Sequence, residues 1–252
     1  MKNAVEAFIL AFRFLTVIPL PLRANPSPIV FGRAVTYFPL VGAIVGGILV
    51  LFTQGLLRLF PPAMSAALLM GFWIGGTGAL HLDGLLDACD GLFGGKTPEQ
   101  RLQIMRDERI GAFAFAGGMT LLISQYAALA SLLQHPAPSW YPALLLSPLL
   151  GRQAMAWAIV LFPYARPDGL GKAMKTHASP YTVGVTTLLT AMTAWSVAGV
   201  RGLSIALGTL LFTLGLGRWF TTRVGGLTGD LYGALGFAVE VVVLVAFTAQ
   251  TP

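Results

Sequence analysis

Seven apolar segments, each about 20 residues long, limit what this chain can fold into; they run at 35–57, 62–80, 112–134, 140–162, 182–200, 202–220 and 232–250. A helix of about 20 apolar residues crosses the roughly 30 Å hydrocarbon layer of a bilayer. In lipid only helices and closed barrels satisfy their own backbone hydrogen bonds. The pattern therefore predicts an all-α, polytopic transmembrane helix bundle with the lipid bilayer as its main solvent, and we read residues 1–252 as one integral membrane domain. Charge agrees: 10% of the residues are charged, against about 25% in a soluble domain, and mean hydropathy is +0.76. Residues 4–20 are interrupted by Glu6 and Arg13. That argues against a cleavable signal and for an amphipathic helix lying at the interface.

The net charge of +6 is not spent on a dense basic patch, and no nucleic-acid motif is present, so nucleic acid is excluded as a partner. The cations instead report topology. With the N-terminus inside, Lys2, Arg13, Arg23, Arg33, Lys96, Arg101, Arg106, Arg109, Arg166, Lys172, Lys175, Arg218 and Arg223 fall on one side, and only Arg58 and Arg201 on the other. By the positive-inside rule that side is cytoplasmic, which places the chain in the cell (inner) membrane. Trp140, Tyr141, Tyr181, Trp219 and Tyr232 fall near predicted span ends, where amphipathic rings favour the headgroup layer. A single cysteine, Cys89, excludes an intrachain disulfide and a multi-cysteine metal site.

Acid is scarce and concentrated. Six of the ten acidic residues (Asp83, Asp87, Asp90, Glu99, Asp107 and Glu108) lie in the predicted cytoplasmic segment at about 81–111. Asp83, Asp87 and Asp90 follow an i, i+4, i+7 spacing, which puts them within about 60° of arc on one helix face. Leu82, Leu85, Cys89 and Leu92 take the opposite side, and Gly84 and Gly91 leave room for a ligand or another backbone. Like charges held together this way repel unless a cation sits among them. Carboxylate oxygens suit Mg2+, which keeps positions open for substrate phosphates. The predicted chemistry is Mg2+-dependent phosphoryl transfer, with Asp83, Asp87, Asp90 and Asp107 as metal ligands and catalytic residues. Thr97-Pro98-Glu99-Gln100 fits a capping box, so Glu99 is read as a helix-start residue. Arg106 and Arg109 flank Asp107 and can hold phosphate oxygens. His81 is open to two readings, general base or hydrogen-bonded structural histidine.

Other polar groups stand out against the apolar background. Arg166, Asp168, Lys172 and Lys175 lie in a glycine-containing loop suited to an anionic substrate. Asp230 ends the glycine-rich turn 225–230. Arg152 and Glu240 fall at membrane depth, where an ionisable residue is expensive and faces the bundle interior with a partner. Each reads as a structural contact or as part of a substrate cavity.

The run HLDGLLDACDGLFGG followed by IMRDERIG resembles the signature of the cobalamin synthase (adenosylcobinamide-GDP ribazoletransferase) family. The resemblance extends to FLTVIPLP, YFPLVGAIVGG, Arg152, YAR at 164–166, GLG at 169–171 and GGLTGD with Gly233, Ala234 and Glu240. The chain departs from the family pattern at Val17, Glu108 and Phe237, and Glu108 is accordingly not read as catalytic. The resemblance implies that adenosylcobinamide-GDP and α-ribazole, or α-ribazole 5′-phosphate, give adenosylcobalamin or its 5′-phosphate plus GMP, with Mg2+ required. It adds Arg106, Arg109, Arg152, Arg166, Lys172, Asp230 and Glu240 as substrate-binding candidates. Two rival readings have some support in the sequence. Asp87-x-x-Asp90-Gly91 is similar to the opening of the CDP-alcohol phosphotransferase motif, but Gly94-Gly95 breaks it. A small-solute transporter would place its acids near mid-membrane and show two interrupted repeats.

Overall fold

The structure, a computed structural model, describes residues 2–22 and 26–249. Arg23, counted above among the topology charges, lies outside the described residues. The described residues form eleven helices and no strand, with one isolated bridge between Tyr164 and Leu227. The chain is an all-α polytopic membrane protein.

Four long apolar helices build the bundle together with one longer helix. They are α3 (Phe38–Leu59), α7 (Ala112–Leu132), α8 (Tyr141–Leu161), α11 (Gly229–Thr248) and α10 (Pro180–Val224). At 1.5 Å per residue, the 45 residues of α10 would extend about 68 Å, more than twice the hydrocarbon thickness. They do not, because the helix breaks at Ala198 and Gly199, the latter at φ 57°, ψ −140°. A Cβ added to Gly202 would stand 2.1 Å from the carbonyl oxygen of Ala194, whereas residues eight apart on an unbroken helix are separated by about 12 Å. The chain thus reverses, and α10 is a helical hairpin, as the predicted pair 182–200 and 202–220 requires.

α4 (Pro62–Gly76) is shorter than its predicted span. Beyond its end the chain turns through Gly78 and Ala79, both at positive φ. α5 (Leu80–Gly94) then leaves at 87° to it. Counting α4 and both limbs of α10, the chain passes seven times between the two ends of the bundle. α8 lies at the centre. Between Ala143 and Ile159 nearly every side chain is buried, because α3, α10 and α11 pack around it. Gly42 and Gly46 of α3 permit close approach, since a Cβ on either would meet the α8 backbone within 2.4–2.7 Å.

α1 (Lys2–Leu15) is amphipathic as expected, and Ala7, Leu10, Ala11 and Leu15 are buried against α2 (Pro28–Val35) and α3. Two sequence-based expectations are corrected here. Trp140 and Tyr232, placed at the headgroup layer by their position near span ends, are 1% and 2% exposed. The basic loop after residue 163 is partly helical, with α9 (Leu170–His177) packed on α2.

The cations sort by end. Arg201 sits at the end where α11 finishes and donates to the carbonyls of Ala246, Phe247 and Ala249. Arg101, Arg106, Arg109, Arg166, Lys172 and Arg223 lie at the opposite end with α5, the short α6 (Pro98–Ile104) and α9.

Candidate active site

α5 lies across one end of the bundle and is sided as its spacing predicts. Leu85, Ala88 and Leu92 are buried, with Gly84 and Gly91 beside them. Of the two readings for those glycines, a neighbouring backbone is the answer at Gly84: a Cβ there would lie 2.7 Å from the carbonyl oxygen of Asp230. Gly91 likewise admits Met105 and Arg101 of the α6 region. α6 begins as expected. Thr97 Oγ1 accepts from the Gln100 N–H (3.3 Å), and the Gln100 side chain accepts from the N–H of Lys96 rather than of Thr97.

The other face of α5 opens onto a cleft of about 280 Å3 lined by Asp83, Asp87, Asp90, Met105, Arg106, Asp107, Glu108 and Arg109. The structure therefore brings the four predicted aspartates to one place, but it does not treat them alike. Asp90 accepts from the N–H groups of Gly111 (2.6 Å) and Ala114 (2.8 Å), and so caps the N-terminus of α7. A Cβ on Gly111 would stand 2.7 Å from that carboxylate. Asp107 is gripped by Arg109, whose Nε and Nη donate at 2.9 and 2.6 Å. These bonds hold its carboxyl down at about 2. Asp83 and Asp87 have no ion-pair partner among the described residues. Burial, then the charges of Asp83 and Asp230, push the Asp87 carboxyl up to about 7, with Arg166 opposing. Among the described residues no three His, Cys, Asp or Glu side chains converge on one point. The expected four-aspartate ligand set is thus not preassembled, because two of its members are engaged elsewhere.

A second cavity of about 460 Å3 adjoins the cleft and shares Asp83 and Arg106 with it. Its apolar walls include Phe14, Phe38, Met155, Ile159, Tyr164 and Tyr232, and Arg166, Asp168 and Asp230 lie at its polar side. Arg166 donates to Asp230 at 2.7 Å. Two hydrogen bonds fix the loops that carry this pair: Ala165 N–H to Leu227 O at 2.9 Å and Leu227 N–H to Pro163 O at 2.8 Å. Sequence reading did not pick out Tyr164 or Tyr232 for this cavity. Their signal was position, since both flank glycine-rich turns that the fold pairs.

Other candidates fall away from both cavities. His81 is 2% exposed and faces the bundle interior, with Nδ1 3.8 Å from Glu240. Arg152 pairs with the same carboxylate and is wholly buried. Glu240 contacts both Arg152 and His81 inside the bundle, and none of the three lines either cavity. Lys172 is exposed on α9 and lines neither. Glu99 is at the exposed start of α6. Phe237, at a departure from the family pattern, is 3% exposed in the α11 core.

A polytopic helical membrane enzyme with a carboxylate-rich cleft, flanked by arginines, at one end of its bundle is the class that this fold and site define. The chain belongs to the cobalamin-5-phosphate synthase family, whose model matches residues 7–248. It is 39% identical over 251 residues to an adenosylcobinamide-GDP ribazoletransferase of Pseudomonas paraeruginosa, covering 98% of this chain and 99% of that protein. It is 37% identical to one from Roseiflexus sp. (96% and 89%) and 34% identical to one from Brevibacillus brevis (98% and 99%). No solved structure matches the chain.

Proposed function

We propose that this chain joins adenosylcobinamide-GDP to α-ribazole, or to α-ribazole 5′-phosphate, releasing GMP in the last steps of cobalamin biosynthesis. The reaction is a Mg2+-dependent phosphoryl transfer at the cytoplasmic face of the inner membrane. Names of relatives similar over nearly the whole chain support the reaction class. The observation that carries the site assignment is the pair Asp83 and Asp87, two carboxylates without cationic partners facing one cleft beside Arg106 and Arg109.

A divalent ion fits this donor set. The oxygens are hard, burial and then the charges of Asp83 and Asp230 push the Asp87 carboxyl up to about 7, and Mg2+ favours one or two carboxylates plus substrate phosphate. Asp83 and Asp87 would hold it, and Asp107 becomes available when Arg109 turns to a phosphate oxygen. When bound, the ion neutralises the diphosphate and the departing GMP.

The residues of the chain do the rest by placement, which dominates phosphoryl transfer. Arg106 lines both cleft and cavity and is suited to the diphosphate between the two substrates. Arg166 is oriented by Asp230. The ribazole 3′-hydroxyl attacks the phosphorus nearest the cobinamide, a P–O bond forms, and the diphosphate P–O bond breaks with its electron pair leaving on GMP. The hydroxyl proton passes to a cleft carboxylate. Asp83 is the acid that lines both spaces.

Protein reconstituted in vesicles, supplied with both substrates, should form the cobalamin product and GMP in equal amounts, and should stop when Mg2+ is chelated. Asp83→Ala and Asp87→Ala should each abolish turnover while the protein stays inserted and folded. Near-wild-type turnover of either variant across a Mg2+ titration would overturn the metal assignment.

A further inference from the structure

We propose that the 460 Å3 cavity beside the acidic cleft is the site of the acceptor nucleoside, and that it selects a flat, apolar aromatic base. The proposal rests on the phosphoryl-transfer reading above and adds where the second substrate sits and what recognises it.

Position comes first. Two substrates react only when the acceptor hydroxyl is held against the phosphorus, so the acceptor needs a space opening onto the walls of the cleft. This cavity does so through Asp83 and Arg106. Size comes second. Sites for small molecules run from roughly 300 to 1,000 Å3. A nucleoside fits 460 Å3, and a corrin ring with its amide arms far exceeds it.

Chemistry decides between the acceptor nucleoside and the guanosine end of the donor. Guanine presents an edge of N–H donors and needs carbonyl or carboxylate acceptors. The walls here are mainly carbon, from Phe14, Met155, Ile159, Tyr164 and Tyr232; of the acids that also line it, Asp230 is engaged by Arg166 and Thr228, Asp83 is shared with the cleft, and Asp168 is exposed to solvent. A benzimidazole-type base has no such edge and gains from aromatic contact. Its sugar supplies hydroxyls, which suit the polar side of the cavity at Arg166 and Asp168.

Two measurements test this. In the first, Ile159→Trp fills the cavity. It should raise KM for α-ribazole roughly tenfold or more and leave KM for adenosylcobinamide-GDP within about twofold. In the second, Tyr164→Cys in a Cys89→Ala background is labelled with a maleimide. α-Ribazole alone should protect that thiol, and GMP should not. Protection by GMP and not by α-ribazole would assign the cavity to the donor and overturn the proposal, as would protection by neither. Because protection needs no turnover, it separates this inference from the reaction itself: α-ribazole can protect a protein that fails to join the substrates, and a competent transferase can leave the thiol unprotected.

Discussion

Asp87 sits among carboxylates in a half-buried wall, and its proton is the most sensitive reporter of what the cleft contains. Its carboxyl is raised from 3.8 to about 7, first by burial and then by Asp83 and Asp230. The folded protein therefore binds this proton more tightly than the unfolded chain does. Between about pH 4 and 7 the folded state carries an extra proton, so in the absence of a divalent ion stability falls as pH rises through that window. A bound Mg2+ reverses the preference by favouring the charged form. Apparent Mg2+ affinity should then weaken as pH drops below about 7, with close to one proton released per ion at pH 6. Calorimetry in two buffers of different ionisation enthalpy reads that proton directly. Asp87→Asn should abolish the release, and an unchanged release in that variant would place the proton elsewhere. Glu108, exposed on the same cleft, should tolerate Ser with only a mild loss of turnover.

The helices joined by Arg152, Glu240 and His81 show what sequence can and cannot reveal about an element. Periodicity gave the acidic face of α5 because the 3.6-residue repeat is local, and the Asp83, Asp87 and Asp90 stripe does line one cleft. Composition gave the seven passes because length and apolarity are local as well, and a break at Gly199 is what a 45-residue helix needs. Division of labour within the stripe was not legible. Asp90 is committed to the α7 N-terminus by a contact 21 residues away in sequence. His81 turns inward to a carboxylate on α11. Those are tertiary facts, set by how α5 docks. The three buried polar residues tie α5, α8 and α11 together, and removing one charge leaves its partner stranded. Glu240→Gln should cost about 3–5 kcal/mol of stability by exposing Arg152 as an uncompensated buried charge. The Arg152→Met, Glu240→Leu double variant should recover most of it. Thermal unfolding in detergent distinguishes the two, and a single variant as stable as wild type would show that the pair is not coupled.

At the scale of the whole molecule, the asymmetry between its two ends is what makes the orientation testable. One end holds the acidic cleft, the aromatic cavity, α9 and most of the cations; the other holds the tip of the α10 hairpin, the end of α11 and Arg201. Substrates carrying phosphate or diphosphate do not cross lipid unaided, so the cleft must face the compartment that supplies them. The excess of Lys and Arg at the same end is the basis of our proposal that this compartment is the cytoplasm. Two exposed positions at opposite ends report this without touching the cleft: Lys172 on α9 and Ser139 in the loop before α8. In a Cys89→Ala background, Lys172→Cys should react with a membrane-impermeant maleimide in inverted vesicles and not in intact cells. Ser139→Cys should do the opposite. The reverse pattern would turn the protein over and leave its active site facing away from the substrates. Reaction of both positions from one side would contradict the odd number of passes between them. Because Lys172 and Ser139 are separated by α8 alone, a single crossing determines the result, and the buried central helix is the one that makes it.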